Sequence, residues 1–115
     1  NWEAAMFAGH RKLTNLIAVI DHNGFQQGSP ISRTNDLSPL DKKFESFGWE
    51  VRVINGHDYQ SLLAAFTDVQ SKPRVVIAQT VKGKGVDFME NKAEWHHKVP
   101  SAEQYEAALQ QLSKQ

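Results

Sequence analysis

Stretches whose apolar residues recur at helical spacing alternate along this chain with short runs that are apolar without a break. Trp2, Ala5, Met6, Ala8, Gly9 and Leu13 form the first periodic stretch. Its small members predict a helix that packs closely on a sheet or on another helix, with Asn1 at the N-cap position. "LIAVI", Leu16 to Ile20, follows without alternation, which predicts a strand covered on both faces, as in a parallel sheet flanked by helices. Ser38 and Pro39 mark the N-cap and first residue of a second helix that carries Leu40, Phe44 and Phe47 on one face and stops at Gly48.

"WEVRVI" predicts the next strand and "NGHD" a turn. "YQSLLAAFTDVQ" predicts a helix with Leu62, Leu63, Phe66 and Val69 inward, broken at Lys72 and Pro73 before a third strand, "RVVIAQT". This order is that of right-handed βαβ crossovers, so the expected fold is α/β, three layers with helices on both faces of a mainly parallel sheet. "GFQQGSPISRTNDLSP" is a long polar connection without periodicity, a length more often functional than accidental. A last helix is expected from about Ser101, where Ser-Ala-Glu-Gln has the pattern of a capping box. There is no internal repeat.

Composition narrows the class. At 115 residues, 40% of them hydrophobic, the chain fits one domain with a packed core. Thirteen basic and thirteen acidic side chains cancel, which excludes a global field that recruits nucleic acid or an anionic membrane; any anion site must be local. Cysteine is absent, so there are no disulfides or thiolate metal sites. No run approaches the roughly 20 apolar residues that span a bilayer. The expectation is a soluble, intracellular, cytoplasmic domain. Because the chain opens directly in a helical pattern without methionine, it is expected to begin inside a larger sequence.

In open α/β sheets, ligands sit beyond the carboxyl ends of the strands. Here those ends carry "DHNGF", "NGHD" and "TVKGKG", expected along one edge. Asn23 offers a neutral amide oxygen, and Gly24 lets the chain turn so that the Phe25 carbonyl points the same way; hard ions such as Mg²⁺ accept such oxygens. Taken alone, the segment reads first as an ordinary Asn-Gly turn. "KGKG" offers exposed amides and two ammonium groups, a plausible cradle for a diphosphate. His96 and His97 follow Trp95 on a loop, where adjacent side chains are expected to point apart, so that at most one reaches a given ligand. Taken alone, each reads as a surface histidine.

Together, "WEAAMFAGHRKLTNLIAVIDHNGFQ", "FESFGWEVRVINGHD", "AQTVKGKGV" and "ENKAEWHHKVP" resemble, in order and spacing, the diphosphate-binding domain of transketolases, and most closely the N-terminal subunit of the split, two-gene kind. The resemblance implies that residues 1–115 are part of one such domain, without its N-terminal portion. It implies transfer of a two-carbon ketol unit from a ketose to an aldose, both sugar phosphates, with thiamin diphosphate and Mg²⁺ (or Ca²⁺ in its place). Asn23 and the Phe25 carbonyl would hold the metal, and Lys82 would face the diphosphate. His96 would reach both the diphosphate and the reacting substrate, as a catalytic residue.

Glu3 would lie at a subunit interface, in a carboxylate network joining two cofactors; its plainer reading is a solvated first-turn glutamate. The partner implied is a subunit carrying the pyrimidine-binding domain, in a heterotetramer with two copies of each chain. Two departures stand out. The family's Gly-Asp-Gly segment, with the other metal ligand, should lie before Asn1. His97 replaces the usual glycine, and is expected to crowd the loop, alter its backbone preference or touch substrate phosphate. A deoxyxylulose-phosphate synthase shares the Lys-Gly-Lys-Gly turn, and a non-catalytic α/β interaction domain would explain both departures; these are the competing readings.

Overall fold

The computed structural model describes residues 1–114, which form two compact units: residues 1–22 with 37–80, and residues 23–36 with 81–114. In chain order the elements are α1 (Trp2–His10), β1 (Ile17–His22), β2 (Phe25–Gln26), β3 (Ser29–Pro30), α2 (Ile31–Thr34), α3 (Leu40–Ser46), β4 (Glu50–Asn55), α4 (Tyr59–Thr67), β5 (Arg74–Gln79), a 3-10 turn (Ala93–His96) and α5 (Ala102–Leu112).

The first unit is a parallel three-stranded sheet in the order β1-β5-β4, so the last strand of the sequence lies in the middle. Alternate residues of β5 face opposite sides. Val75 and Ile77 join Ala5 and Ala8 of α1, Phe44 of α3 and Trp49 in one core. The aromatic rings there meet at 5.4–5.5 Å, Trp2 on Phe44 and Phe44 on Trp49, and the Trp49 indole donates to the Ala5 carbonyl at 2.8 Å. On the other face the Arg74 guanidinium donates to the carbonyl of Ala65, the buried residue of α4, at 2.8 Å. Helices therefore cover both faces of a parallel sheet, the expected α/β layering.

The small-residue face of α1 has a specific use. A Cβ on Gly9 would lie 1.8 Å from the Phe47 carbonyl oxygen, so only glycine lets the helix approach the turn that ends α3.

Four expectations need correction. β1 is not covered on both faces: Ala18 and Ile20 pack on the core, but Val19, on the opposite face, is 55% exposed, because α4 packs on that face over β4 and not over β1. The strand buried on both faces is β5, from Arg74 to Ala78. In α4 the inward residue is Ala65, while Leu63 and Phe66 are 64% and 42% exposed, and Val69, past the end of the helix, is 98% exposed. Guanidinium groups of Arg52 and Arg74 grip the carbonyls of Ala64 and Ala65, which turns that side of the helix inward. α3 is capped at Pro39 and starts at Leu40, one residue later than Ser38 and Pro39 suggested. The long connection is partly ordered, as the β2–β3 hairpin and the single turn α2.

At the amino ends of β4 and β5 lies a charged network that composition did not reveal. Glu50 accepts from Arg52 Nε at 2.9 Å and from Arg74 Nη2 at 3.1 Å, and Arg52 Nη2 reaches Asp68 at 2.7 Å. Burial pushes the Glu50 carboxyl up, but hydrogen bonds and charge from the two arginines outweigh it and hold the group below its ordinary value.

Candidate functional site

The carboxyl ends of the three strands are in register, His22 and Asn55 each opposite Gln79. They do lie along one edge, and the Thr80 hydroxyl donates to Asp21 there. The end of β4 is occupied with its own architecture. Asn55 Oδ1 accepts from the His57 amide at 3.0 Å, and Asp58 caps α4 through the amides of Gln60 and Ser61 at 3.1 and 3.2 Å. The Ser61 hydroxyl, first, and these amides hold the Asp58 carboxyl below its ordinary value.

Of the five candidate residues, Asn23, Phe25, Lys82 and His96 fall in the second unit, and Glu3 in the first. Asn23 Oδ1 accepts from the Phe25 amide at 2.9 Å while Gly24 takes φ +80°, so the turn reading of this segment holds. The turn also aims oxygens. Gly24 O accepts from Ile31 N at 3.0 Å, and Phe25 faces Pro30, which has no N–H to give. Residues of an antiparallel pair point their backbone groups alternately toward and away from the partner strand, so those of Phe25 point away. The Phe25 carbonyl and Asn23 Oδ1 therefore share the outer edge of the hairpin.

Among the described residues no three His, Cys, Asp or Glu side chains group as metal ligands. Two neutral oxygens on one edge nevertheless suit a hard ion that takes six or more oxygen ligands and draws the rest from phosphates, water and other residues. The donor set fits such an ion in part.

Two of the four amides of the Lys-Gly turn are engaged within the protein, those of Lys84 and Gly85. Lys84 N donates to Val81 O and Val86 N to Gly83 O, both at 3.2 Å, and Gly85 N donates to the Glu90 carboxylate at 2.9 Å. Gly83 and Gly85 adopt φ of +73° and +91°, and a Cβ on Gly83 would lie 2.7 Å from the Met89 carbonyl oxygen. The turn thus closes on the segment that follows, and Asn91 N donates to Lys82 O at 2.9 Å. What remains for an anion is the amides of Lys82 and Gly83 and the charge of the half-buried Lys82 and the exposed Lys84. Glu90, which shapes this turn, has no sequence signature beyond its distance from the glycines.

Trp95 is pinned, its indole donating to Phe88 O at 2.7 Å, its ring 5.4 Å from that of Phe88, and the Lys98 ammonium 4.5 Å from its centre. His96 and His97 come next, exposed. Their rings do not point apart, as expected of neighbours on a loop, but meet nearly perpendicular at 4.3 Å between centroids. His97 takes φ −124° and ψ −5°, a conformation open to any residue, so nothing here demands glycine. Glu3 stands in the first turn of α1, exposed.

Known proteins agree with this architecture over the same span. The family model described as "Transketolase, thiamine diphosphate binding domain" matches residues 1–113. One of the subunits of the apulose-4-phosphate transketolase of Actinobacillus succinogenes is 45% identical over 97% of this chain and 41% of its own length. The 6-deoxy-6-sulfo-D-fructose transketolase subunit of a Clostridium species is 39% identical over 99% of the chain and 42% of its own length. The transketolase structure from Campylobacter jejuni superposes with a TM-score of 0.83 at 31% identity, over 97% of this chain and 18% of that one. The chain thus spans about two-fifths of the split subunits it matches. No helix among the described residues is long and apolar enough to cross a membrane. On the family match along nearly its whole length, the chain belongs to the transketolase family, as a thiamine diphosphate-binding domain sequence.

Proposed function

We propose that residues 1–115 form the later portion of one diphosphate-binding domain in a cytoplasmic, split transketolase, which moves a two-carbon ketol unit from a ketose to an aldose, both sugar phosphates. The observation that carries the reading is the turn at Asn23, which puts an amide oxygen and the Phe25 carbonyl on one outer edge. These two oxygens would hold Mg²⁺, or Ca²⁺ in its place, which would supply positive charge for a diphosphate.

Lys82 sets its positive charge against that diphosphate. When bound, thiamin diphosphate supplies a nucleophilic carbon and an electron sink. His96 donates to the diphosphate and to the substrate oxygen on which negative charge develops, an interaction that strengthens toward the transition state. Glu3, exposed on α1, joins a carboxylate network at the interface with a second subunit, which brings the pyrimidine-binding domain. The assembly is two copies of each chain. The similar chain from Actinobacillus succinogenes is itself named as one subunit of its transketolase, in keeping with this division of labour.

The test is calorimetric titration of the complete subunit with thiamin diphosphate, with and without Mg²⁺ and the partner subunit, followed by an assay of ketol transfer. Mg²⁺-dependent binding and transfer by the mixture alone are expected. Binding indifferent to Mg²⁺, or transfer by the partner unaided, overturns the reading.

A further inference from the structure

We infer that His97 is a positioning residue that orients the imidazole of His96 for the reaction proposed above, on which the kinetic part of the inference rests. The 3-10 turn that carries His96 is fixed through Trp95, by its indole bond to Phe88 O and the Lys98 ammonium over its ring. Those contacts hold the backbone and leave the His96 side-chain torsions undetermined. Among the described residues neither imidazole makes a side-chain hydrogen bond, and an exposed ring without a partner samples several rotamers. What His96 has is the ring of His97, 4.3 Å away and at 72° to it. Edge-to-face contact of this kind is favoured by the ring quadrupoles and selects one mutual orientation.

Of the three consequences expected for an imidazole at this position, an altered backbone preference is excluded by the backbone. His97 sits at φ −124°, where a side chain brings no strain and glycine no advantage. The ring contact is a consequence that was not among those three. It gives His96 a wall that a glycine cannot provide, and a donor already in its working rotamer loses less freedom as it engages the substrate.

The test uses the complete protein in complex with its partner, and compares His97→Gly with His97→Phe. Phenylalanine keeps a ring for His96 to pack on and removes every nitrogen at position 97. The expected result is a loss in kcat of about two- to tenfold for His97→Gly, with KM for the sugar phosphates unchanged, and kcat largely restored in His97→Phe. A His97→Gly enzyme with unaltered kcat overturns the inference. So does a His97→Phe enzyme as impaired as His97→Gly, which would mean that a nitrogen of His97 touches the substrate itself.

A second readout does not depend on activity. With histidine labelled by carbon-13 at Cε1, and the His96 signal assigned through His96→Gln, the ring-current shift of that signal should vanish in His97→Gly and persist, altered, in His97→Phe. An unmoved His96 signal in His97→Gly overturns the inference even where no ketol transfer is found, whereas absent transfer with the shift intact counts against the proposed reaction alone.

Discussion

Two groups of polar side chains, one in each unit of this chain, are used in opposite ways. In the first, Glu50, Arg52, Asp68 and Arg74 hold one another at 2.7–3.1 Å, and Arg74 is buried completely. In the second, the side chains of Lys82, Lys84, His96 and His97 have no ion pair or hydrogen bond among the described residues. Groups already engaged by protein partners are architecture, since protein has replaced much of the water around them. Those left without protein partners, on loops held by a rigid scaffold, are the ones an anionic ligand can engage. Chemical type alone does not separate the two sets; the number of protein partners does.

The strongest way to break that contrast is to unpair the first set. Arg74→Met leaves Glu50 with one arginine and the Ala65 carbonyl without its donor. The expected loss is about 3 kcal/mol in urea unfolding of the complete subunit, because the Ala65 carbonyl is left without its donor and Glu50 loses one of its two charged partners. Acid should reveal the same network. The folded pKa of Glu50 is depressed, so its contribution is complete above the unfolded value of about 4.3 and fades as pH falls through the folded value. Glu50→Gln should therefore flatten the decline of stability below about pH 4. Solvent reaches the Glu50 side chain, 32% exposed, and keeps that effect modest.

Glycines sharpen the comparison at the next level. Gly9→Ala drives a methyl into the Phe47 carbonyl and should cost at least about 1–3 kcal/mol, the range for overpacking. Gly24→Ala, in the second unit, meets nothing within 4 Å and has only its φ of +80° against it, a strain of about 1–2 kcal/mol. Thermal unfolding of the two variants should rank them in that order.

The sequence was informative where a pattern repeats and silent where a contact depends on tertiary placement. The three strands, the parallel α/β arrangement and the capping box at Ser101 follow from apolar runs and local caps, which act over a few residues. The central position of β5 and the half-covered state of β1 depend on strand order, which periodicity does not encode. Arg52 and Arg74 stood among apolar strand residues in "EVRVI" and "PRVVI", a visible signal that charges enter the sheet, but the usual solvated reading of charge concealed it. At the candidate site, Asn23 and Gly24 announced the turn, whereas the meeting of His96 and His97 arises from side-chain torsions on a turn and had no pattern to show it.

Asn23→Ala separates binding from stability. It removes an oxygen that orders the Phe25 amide on an outer edge, so unfolding should change by less than about 1 kcal/mol. In the complete assembly, affinity for thiamin diphosphate should fall about tenfold with Mg²⁺ present and change little without it. Equal losses under both conditions would show that the residue serves the turn alone.

The smallest effect tests whether the two units fail separately. Ser101 Oγ accepts from Gln104 N at 3.2 Å, and Gln104 Oε1 accepts from Ser101 N at 3.0 Å, a closed capping box at the start of α5. None of the residues of α5 is buried, and its last turn is held by Gln111, which exchanges two 2.8 Å bonds with Asp87. A helix so lightly packed depends on its cap, and Ser101→Ala should cost about 1 kcal/mol. Hydrogen exchange should speed up at the amides of residues 102–106 while protection of β5 stays unchanged, because local opening at α5 need not involve the sheet. Faster exchange at Val75 to Ile77 in the same variant would show that the two units open together, and that the contrast between them is one of chemistry and not of stability.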